Sequence, residues 1–228
     1  MWYHRTMMTY EIEIKSLLGE QENADVFRNT IIEKGAKKTS ENSQLNHYFI
    51  PGDFNKLLSL VQTYLSPEHN QALENIIEKG SDFSIRTREV DGKVKLVIKA
   101  SVDNTTSDNG IARMEFEENL PLTLGELDQI LIDAGFKYQA KWSRIREEYI
   151  LDDITICLDK NAGYGWLTEF EKVIKEGDDR HQAEETIRAL MDDCRVTELD
   201  QERLARMFDY YNNNWQKYYG TDNIFTLE

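Results

Sequence analysis

Near the N-terminus, charged residues occupy every second position of the segment Glu11-Ile12-Glu13-Ile14-Lys15. If this segment is a strand, Glu11, Glu13 and Lys15 share one face and the two isoleucines share the other. Two carboxylates at that spacing repel each other and raise each other's pKa unless a positive charge lies between them. A divalent metal ion with a polyphosphate would supply that charge, whereas bulk water is the simpler alternative. The rest of the chain has to decide between a metal site and a solvated sheet face.

Six further segments show the same alternation between charged and apolar residues. The charged positions are Arg86 and Arg88 in segment 82–90, Lys93, Lys95 and Lys99 in 93–101, Arg113, Glu115 and Glu117 in 111–119, Arg144 and Arg146 in 138–150, Asp159 in 152–159, and Glu169 and Glu171 in 166–175. Each of these predicted strands therefore has one apolar face and one charged face.

The remaining elements place these strands in an α+β chain. Helical spacing predicts helices over about 21–35, 53–65, 67–79, 123–135, 178–193 and 199–218, and strand patterns cover about 8–17 and 44–50 in addition to the six segments above. Asp91-Gly92 joins two of the strands as a hairpin. Without a repeat or a linker, we expect one domain over 1–228, with a core of about 8–175 and a C-terminal helical segment of about 178–220.

Two architectures fit strands with one charged face. An open antiparallel sheet would leave that face in water, whereas a closed barrel with helices outside would enclose the charges and require them to pair with each other or with ligands. Seven acidic residues in these segments are matched by seven basic ones when Lys93 and Lys95 are left out, although the whole chain carries 42 acidic against 27 basic residues and a net charge of −15. The seven basic residues are Lys15, Arg86, Arg88, Lys99, Arg113, Arg144 and Arg146. The balance favours the eight-stranded antiparallel closed barrel with a charged interior.

Composition excludes several classes of partner and location. A net charge of −15 argues against general binding to nucleic acid or to an anionic membrane. No apolar run reaches the roughly 18 residues of a membrane span, and the segment Met1–Arg5 has no apolar region of a signal peptide. Cys157 and Cys194 are the two cysteines, and their spacing does not resemble a metal motif. We expect a cytoplasmic protein.

Taken in order, the charged motifs resemble those of a known family. Glu11-x-Glu13-x-Lys15, Arg86-x-Arg88, Lys99, Arg113-x-Glu115-x-Glu117, Arg144-x-Arg146, Asp159 and Glu169-x-Glu171 are similar to the successive motifs of CYTH proteins. These triphosphate tunnel enzymes include class IV adenylyl cyclases, thiamine triphosphatases and inorganic triphosphatases. The resemblance covers about residues 8–175 and implies an eight-stranded antiparallel tunnel.

The resemblance also implies roles for the charged side chains. It implies Mg²⁺ or Mn²⁺ held by Glu11, Glu13, Glu169 and Glu171, with Asp159, Glu115 and Glu117 as further candidate ligands, and hard carboxylate oxygens suit both ions. It implies triphosphate binding by Lys15, Arg86, Arg88, Lys99, Arg113, Arg144 and Arg146. Lys15, Glu169 and Arg144 are the expected catalytic residues. Lys95 shares a face with Lys99 and competes for its role, although Lys99 fits the motif better.

Three functions remain open on this basis. The first is a metal-dependent hydrolase of inorganic triphosphate or of a small organic triphosphate. The second is a class IV adenylyl cyclase that makes cyclic AMP and pyrophosphate from ATP, and the third is a non-catalytic module that binds polyphosphate or a nucleoside triphosphate. The intact carboxylates argue against the third, because binding alone does not require so many metal ligands.

Two segments lie outside the charged motifs. The helical stretch 53–79 is longer than the usual connection in the family, so it either caps the mouth of the tunnel or packs on the outer wall. The tail is rich in aromatic residues, which favours core packing or the surface of a homodimer over base stacking. These residues are Phe208, Tyr210, Tyr211, Trp215, Tyr218 and Tyr219.

Overall fold

The computed structural model of the chain describes residues 9–101, 113–175 and 178–227. The chain divides into two compact units. Unit 1 comprises Met1–Asn42, Arg144–Tyr210 and Gly220–Glu228, and unit 2 comprises Ser43–Ser143 and Tyr211–Tyr219. Both units are therefore built from segments that are distant in sequence.

Eight strands and six α-helices form the described part of the chain, and they alternate as the sequence predicts. The strands are β1 (Thr9–Gly19), β2 (Lys37–Ile50), β3 (Ser81–Val90), β4 (Lys93–Ser101), β5 (Arg113–Leu120), β6 (Lys137–Leu151), β7 (Ile154–Asn161) and β8 (Gly165–Lys175). The helices are α1 (Gln21–Glu33), α2 (Phe54–Val61), α3 (Pro67–Lys79), α4 (Leu124–Asp133), α5 (Arg180–Asp193) and α6 (Gln201–Asn214). None of the helices in these ranges is long and apolar enough to cross a membrane.

The strands form one eight-stranded sheet in the order β1-β8-β7-β6-β2-β3-β4-β5. Its recorded pairings are antiparallel, so the predicted α+β fold with an eight-stranded antiparallel sheet is confirmed. The prediction that this sheet closes into a barrel was wrong in detail. β1 and β5 lie at the two ends of the strand order, and no pairing between them is found in the described residues. Closure was inferred from charge balance, and neighbouring strands achieve that balance by pairing acids with bases directly.

Local signals set the ends of several elements. Thr123 and Glu126 form a capping box at the start of α4, in which each side chain accepts a hydrogen bond from the other residue's backbone N–H. Asp91 and Gly92 both adopt positive φ, 48° and 78°, as the two-residue turn between β3 and β4 requires. The hairpin that the sequence predicts at this turn is confirmed, and it fixes the register of β3 against β4.

The core of unit 1 lies on the apolar face of its strands. Ile14 of β1, Ile156 of β7 and Phe170 of β8 pack there against α1 and α5, which contribute Phe27 and Ile187 among other residues. The Phe27 and Phe170 rings meet edge to face with centroids 5.9 Å apart. Burial of this face requires the alternate, charged side chains of the same strands to point the other way.

The core of unit 2 also lies on the apolar face of its strands, where three helices pack against it. Leu57 of α2, Leu73 of α3 and Leu127 of α4 are fully buried in a cluster with Leu96 and Ile98 of β4. The helical stretch 53–79 therefore packs on the apolar face of the sheet, as expected for outer-wall packing. The charged face of β3 and β4 lies opposite to these helices.

Candidate functional site

In unit 1, strand pairing brings the predicted site residues onto one face. Lys15 of β1 lies opposite Glu169 of β8, and Glu169 lies opposite Cys157 of β7. One step along the strands, Glu13 lies opposite Glu171. Since directly opposed residues in antiparallel strands share a face, four of the predicted side chains and one cysteine lie together.

Asp159 of β7 holds two arginines of this face in place. Its carboxylate is fully buried and accepts two hydrogen bonds from Arg146, from Nε to Oδ1 at 2.8 Å and from Nη2 to Oδ2 at 2.6 Å. Arg144 Nη1 donates to Oδ2 at 3.2 Å. Burial alone would lower the pKa of Arg146, but the hydrogen bond and charge of Asp159 raise it above its ordinary value. Both oxygens of this predicted metal ligand therefore bind guanidinium groups, which favours a positioning role.

Glu169 is the carboxylate at the centre of the charged face of unit 1. Lys15 Nζ lies 3.1 Å from its Oε1, and Arg146 Nη2 lies 2.5 Å from its Oε2. Burial raises the pKa of Glu169, but the positive charges of Lys15, Arg146 and Arg144 outweigh burial and hold that pKa below its ordinary value. Glu169 is therefore an ionised carboxylate at neutral pH, which is the form a metal ion requires.

Lys15 places a positive charge between two carboxylates of this face. Its Nζ contacts Glu13 Oε1 as well as Glu169, and its backbone carbonyl accepts a hydrogen bond from Leu199 N–H at 2.7 Å. The main chain of β1 is thus fixed at the residue whose side chain neutralises two carboxylates.

Three side chains of this face have the spacing of metal ligands. One ligand atom each from Cys157, Glu169 and Glu171 lies within 4.8 Å of the others. The two carboxylates, both on β8, fit a hard divalent cation such as Mg²⁺ or Mn²⁺. Sequence reasoning missed Cys157 because it judged cysteine spacing along the chain. The available signal was its position two residues before Asp159, which places both side chains on one face.

In unit 2, the charged face is dominated by arginine and lysine. Arg88 of β3 lies opposite Asn46 of β2 and Lys95 of β4. Its Nε donates to Asn46 Oδ1 at 2.8 Å, and its Nη1 lies 3.5 Å from Glu117 Oε2. The guanidinium is therefore oriented from two sides, by one neutral group and one carboxylate.

Arg86 is oriented by an aromatic ring instead. Its Nη1 donates to the hydroxyl of Tyr48 at 2.7 Å, and its Cζ lies 5.5 Å from the centre of the Tyr48 ring. Its Nε is buried and has no hydrogen-bond partner among the described residues. A buried donor without an acceptor costs about 1–3 kcal/mol, so an anion at this position would gain that interaction.

The predicted carboxylates of unit 2 pair with lysines. Lys95 Nζ lies 2.7 Å from Glu117 Oε1, and Lys99 Nζ lies 3.2 Å from Glu115 Oε1. Burial raises the pKa of Glu117, but Lys95 and Arg88 outweigh burial and lower it overall. Lys95 and Lys99 thus both lie on the charged face, and together with Arg86 and Arg88 they outnumber Glu115 and Glu117 among the described side chains.

For two predicted site residues, the structure describes the backbone only. The backbones of Glu11 and Arg113 lie in β1 and β5 as expected. Their side chains lie outside the described residues. Their roles as metal ligand and phosphate ligand stay predictions.

A buried polar network on the apolar side of unit 2 was not predicted. Asp128 of α4 accepts hydrogen bonds from Thr87 at 2.6 Å and from Tyr138 at 2.7 Å, and it pairs with His47 Nδ1 at 2.6 Å. His47 Nε2 lies 2.7 Å from the hydroxyl of Tyr219. Burial raises the pKa of Asp128, but the hydrogen bonds from His47 and Thr87 outweigh burial and lower it overall. This network ties β2, β3 and α4 to the C-terminal segment.

Known proteins share the fold of this chain, and the chain matches one protein-family model. The model described as CYTH domain matches residues 9–208. A "conserved hypothetical protein" from Pyrococcus furiosus is similar in structure, with a TM-score of 0.55 and 20% identity over 84% of this chain and 93% of that one. A "putative adenylate cyclase" from Vibrio parahaemolyticus has a TM-score of 0.54 and 17% identity over 88% and 98% of the two chains. Comparison with curated proteins finds no match.

Proposed function

Because the chain belongs to the CYTH domain family, we propose that it is a metal-dependent hydrolase of inorganic triphosphate or of a small organic triphosphate. Enzymes of this family hydrolyse triphosphates or cyclise ATP. The observation that carries the proposal is the grouping of Glu169 and Glu171 with Lys15, Arg144 and Arg146 on one face of unit 1. A cation and a polyanion both find complementary charge there.

The metal ligands in this proposal are carboxylates of unit 1. Glu169 and Glu171 have the spacing for one ion, and Glu11 and Glu13 join them by the family pattern. Mg²⁺ or Mn²⁺ suits such oxygen donors and usually retains water and substrate phosphates as its other ligands. When bound, the ion supplies positive charge to the phosphate oxygens and activates water for attack.

The proposed triphosphate ligands follow the motifs of the family. They are Lys15, Arg86, Arg88, Lys99, Arg113, Arg144 and Arg146. Guanidinium groups bind phosphate oxygens in a bidentate manner, and Asp159, Asn46 and Tyr48 orient four of them. The unpaired Nε of Arg86 supports an anion as the missing partner.

In the proposed reaction, water attacks the terminal phosphorus and the bond from that phosphorus to the bridging oxygen breaks. Orthophosphate leaves with the attacking oxygen, and inorganic triphosphate would yield pyrophosphate as the second product. Lys15 and Arg144 neutralise charge that develops on the phosphate oxygens. Glu169 orients the attacking water, and its lowered pKa keeps it ionised for that role.

An adenylyl cyclase of class IV is the alternative. It is favoured by the name of the similar Vibrio parahaemolyticus protein, and the same charged faces would hold ATP. In this reaction the ribose 3′-hydroxyl attacks the α-phosphorus and pyrophosphate leaves. Recognition of adenine is the added requirement.

Incubation with three substrates separates the candidates. The chain is supplied with inorganic triphosphate, thiamine triphosphate or ATP, together with Mg²⁺ or Mn²⁺. Orthophosphate release supports the hydrolase, cyclic AMP with pyrophosphate supports the cyclase, and binding without either product leaves the non-catalytic module.

The matched variants are Glu171→Gln and Glu184→Gln. Glu184 lies on α5 and pairs with Arg180 and Arg188 on the surface of unit 1. We expect Glu171→Gln to lower turnover at least about 100-fold with an unchanged circular dichroism spectrum, and Glu184→Gln to retain it. Full activity of Glu171→Gln would overturn the metal assignment.

The wider setting is proposed on the same basis. We propose that the chain acts as a single CYTH domain in the cytoplasm, where its two free cysteines suit a reducing environment. Its partners would be small triphosphates and not nucleic acid or a membrane. A homodimer is the proposed assembly, which light scattering of the purified chain would test.

A further inference from the structure

Cys157 occupies a position that packing does not explain. It is 1% exposed, yet its side chain points to the charged face of β7 and it is not a member of the apolar core of unit 1. Cys194, the other cysteine of the chain, belongs to that core together with Ile187 and Met191. One thiol therefore packs among apolar groups, whereas the other is buried among charges.

The surroundings of Cys157 are those of a ligand. Glu169 lies directly opposite it in the β7–β8 pairing. The only acceptor that its thiol meets in the described residues is Glu171 Oε1, with a sulfur-to-oxygen distance of 3.9 Å. A thiol is a weak donor, and 3.9 Å is a long contact for it.

The spacing of the three donors fits one ion. The thiol sulfur of Cys157 and one oxygen each of Glu169 and Glu171 lie within 4.8 Å of one another. Donors around a single ion at about 2.0–2.3 Å lie at most roughly 4.6 Å apart. Small rotations of the two glutamates would close that difference, while strand pairing keeps the three backbones in place.

We propose that Cys157 is a third metal ligand beside Glu169 and Glu171, and that this site binds thiophilic divalent ions such as Co²⁺ and Zn²⁺ more tightly than Mg²⁺. The inference rests on the proposed metal site of unit 1 and specifies its ion preference. Soft thiolate favours such transition metals, whereas an all-carboxylate site would favour hard ions. On binding, the sulfur–hydrogen bond gives way to a sulfur–metal bond and one proton passes to the buffer.

Cobalt titration of the full chain tests the proposal directly. Co²⁺ bound to thiolate gives a near-ultraviolet charge-transfer absorption that carboxylate ligands do not produce, so the readout does not depend on activity. We expect one equivalent of Co²⁺ to produce this band in the natural chain and in the control Cys194→Ser. Cys157→Ser should lose the band, and its Kd for Co²⁺ should rise at least about tenfold.

The same titrations with Mg²⁺ separate this inference from the proposed function. Cys157→Ser should change the Kd for Mg²⁺ less than about twofold, because Mg²⁺ makes little use of sulfur. If Glu171→Gln leaves Mg²⁺ binding unchanged, the proposed metal site itself fails. If Glu171→Gln weakens Mg²⁺ but Cys157→Ser keeps the cobalt band and affinity, only the role of Cys157 is overturned.

A second variant controls for any disturbance that a serine hydroxyl causes at this buried position. Cys157→Ala removes the donor without adding a hydroxyl, and it should behave as Cys157→Ser does in both titrations. If Cys194→Ser loses the band and either Cys157 variant keeps it, then Cys194 is the cysteine that binds Co²⁺, and the proposal is overturned.

Discussion

The charged faces of the two units share one sequence pattern but differ in burial. In unit 1, the Asp159 and Glu169 side chains are 1% and 12% exposed, and each contacts arginine through a hydrogen bond of 2.8 Å or less. In unit 2, the paired side chains of Lys99 and Glu115 are 35% and 43% exposed. The same alternation of charged and apolar residues thus produces a closely paired face and a more open one.

This difference separates two kinds of binding surface. Unit 1 presents Glu13, Asp159, Glu169 and Glu171 with three bases, so it has acidic groups to offer a cation. Unit 2 presents Arg86, Arg88, Lys95 and Lys99 with two acids, so it has bases to offer an anion. Breaking a buried ion pair costs about 3–5 kcal/mol, whereas an exposed pair contributes about 0–1 kcal/mol. The ion pairs of unit 1 are therefore the costlier ones to break, and those of unit 2 are the cheaper ones.

The largest expected effect is on stability and concerns Asp159. Asp159→Asn leaves Arg144 and Arg146 without their shared carboxylate, and we expect a loss of about 3 kcal/mol in the free energy of unfolding. Glu115→Gln in unit 2 should cost less than about 1 kcal/mol, since its pair is exposed. Urea denaturation of both variants measures the two losses. Equal losses would remove the contrast between the faces.

The next effect is on ligand binding and concerns Arg88. Hydrogen bonds to charged groups contribute about 1.5–3 kcal/mol, so Arg88→Ala should weaken binding of inorganic triphosphate by roughly 10- to 150-fold. The affinity of the Arg88→Ala variant for Mn²⁺ should not change. In Glu171→Gln, by contrast, the loss of affinity should be larger for Mn²⁺ than for triphosphate. Isothermal titration calorimetry of each ligand alone makes this comparison, and a Mn²⁺ defect in Arg88→Ala would contradict the division of roles.

The smallest effect is on the pH dependence of stability. Burial raises the pKa of Glu147 in unit 1, but Arg28 and Tyr149 outweigh it, and the pKa of Glu117 in unit 2 is lowered in the same way. A lowered folded-state pKa contributes stability above the ordinary value of about 4.3 and loses it as the pH falls between about 5 and 2. Melting temperatures over this range should fall less steeply for either glutamine variant than for the natural chain. Glu147→Gln should flatten the curve more than Glu117→Gln, because Glu147 binds Arg28 through both oxygens.

The faces of the strands could be predicted because the side-chain period of a strand is two. Once Glu13 and Lys15 are in a strand, Ile12 and Ile14 must be opposite, and the same holds for Arg86 and Arg88. The first half of β2, from Lys37, escaped prediction because it has polar residues on both faces. Periodicity gives no signal there, and pairing with neighbouring strands decides the structure.

The partners of the charged residues could not be predicted in the same way. Nothing in the sequence near Asp159 shows that Arg144 and Arg146 bind both of its oxygens, because that depends on the register between β6 and β7. Cys157 was discounted for a related reason, since Glu169 and Glu171 lie 12 and 14 residues away along the chain but on the adjacent strand. Spacing across a sheet becomes visible only when the register is known.

The network around Asp128 has a consequence for how the chain folds. His47 and Tyr219 are separated by 172 residues, so the polar groups buried in unit 2 are not all satisfied until the C-terminal segment is present. At about 5–20 residues per second, synthesis would need roughly 9–35 s to pass from one residue to the other. From the synthesis of α4 until Tyr219 follows, α4 would hold a buried carboxylate and β2 would hold an imidazole that still lacks Tyr219. Completion of unit 2 is therefore a late event in folding, although most of its strands are made early.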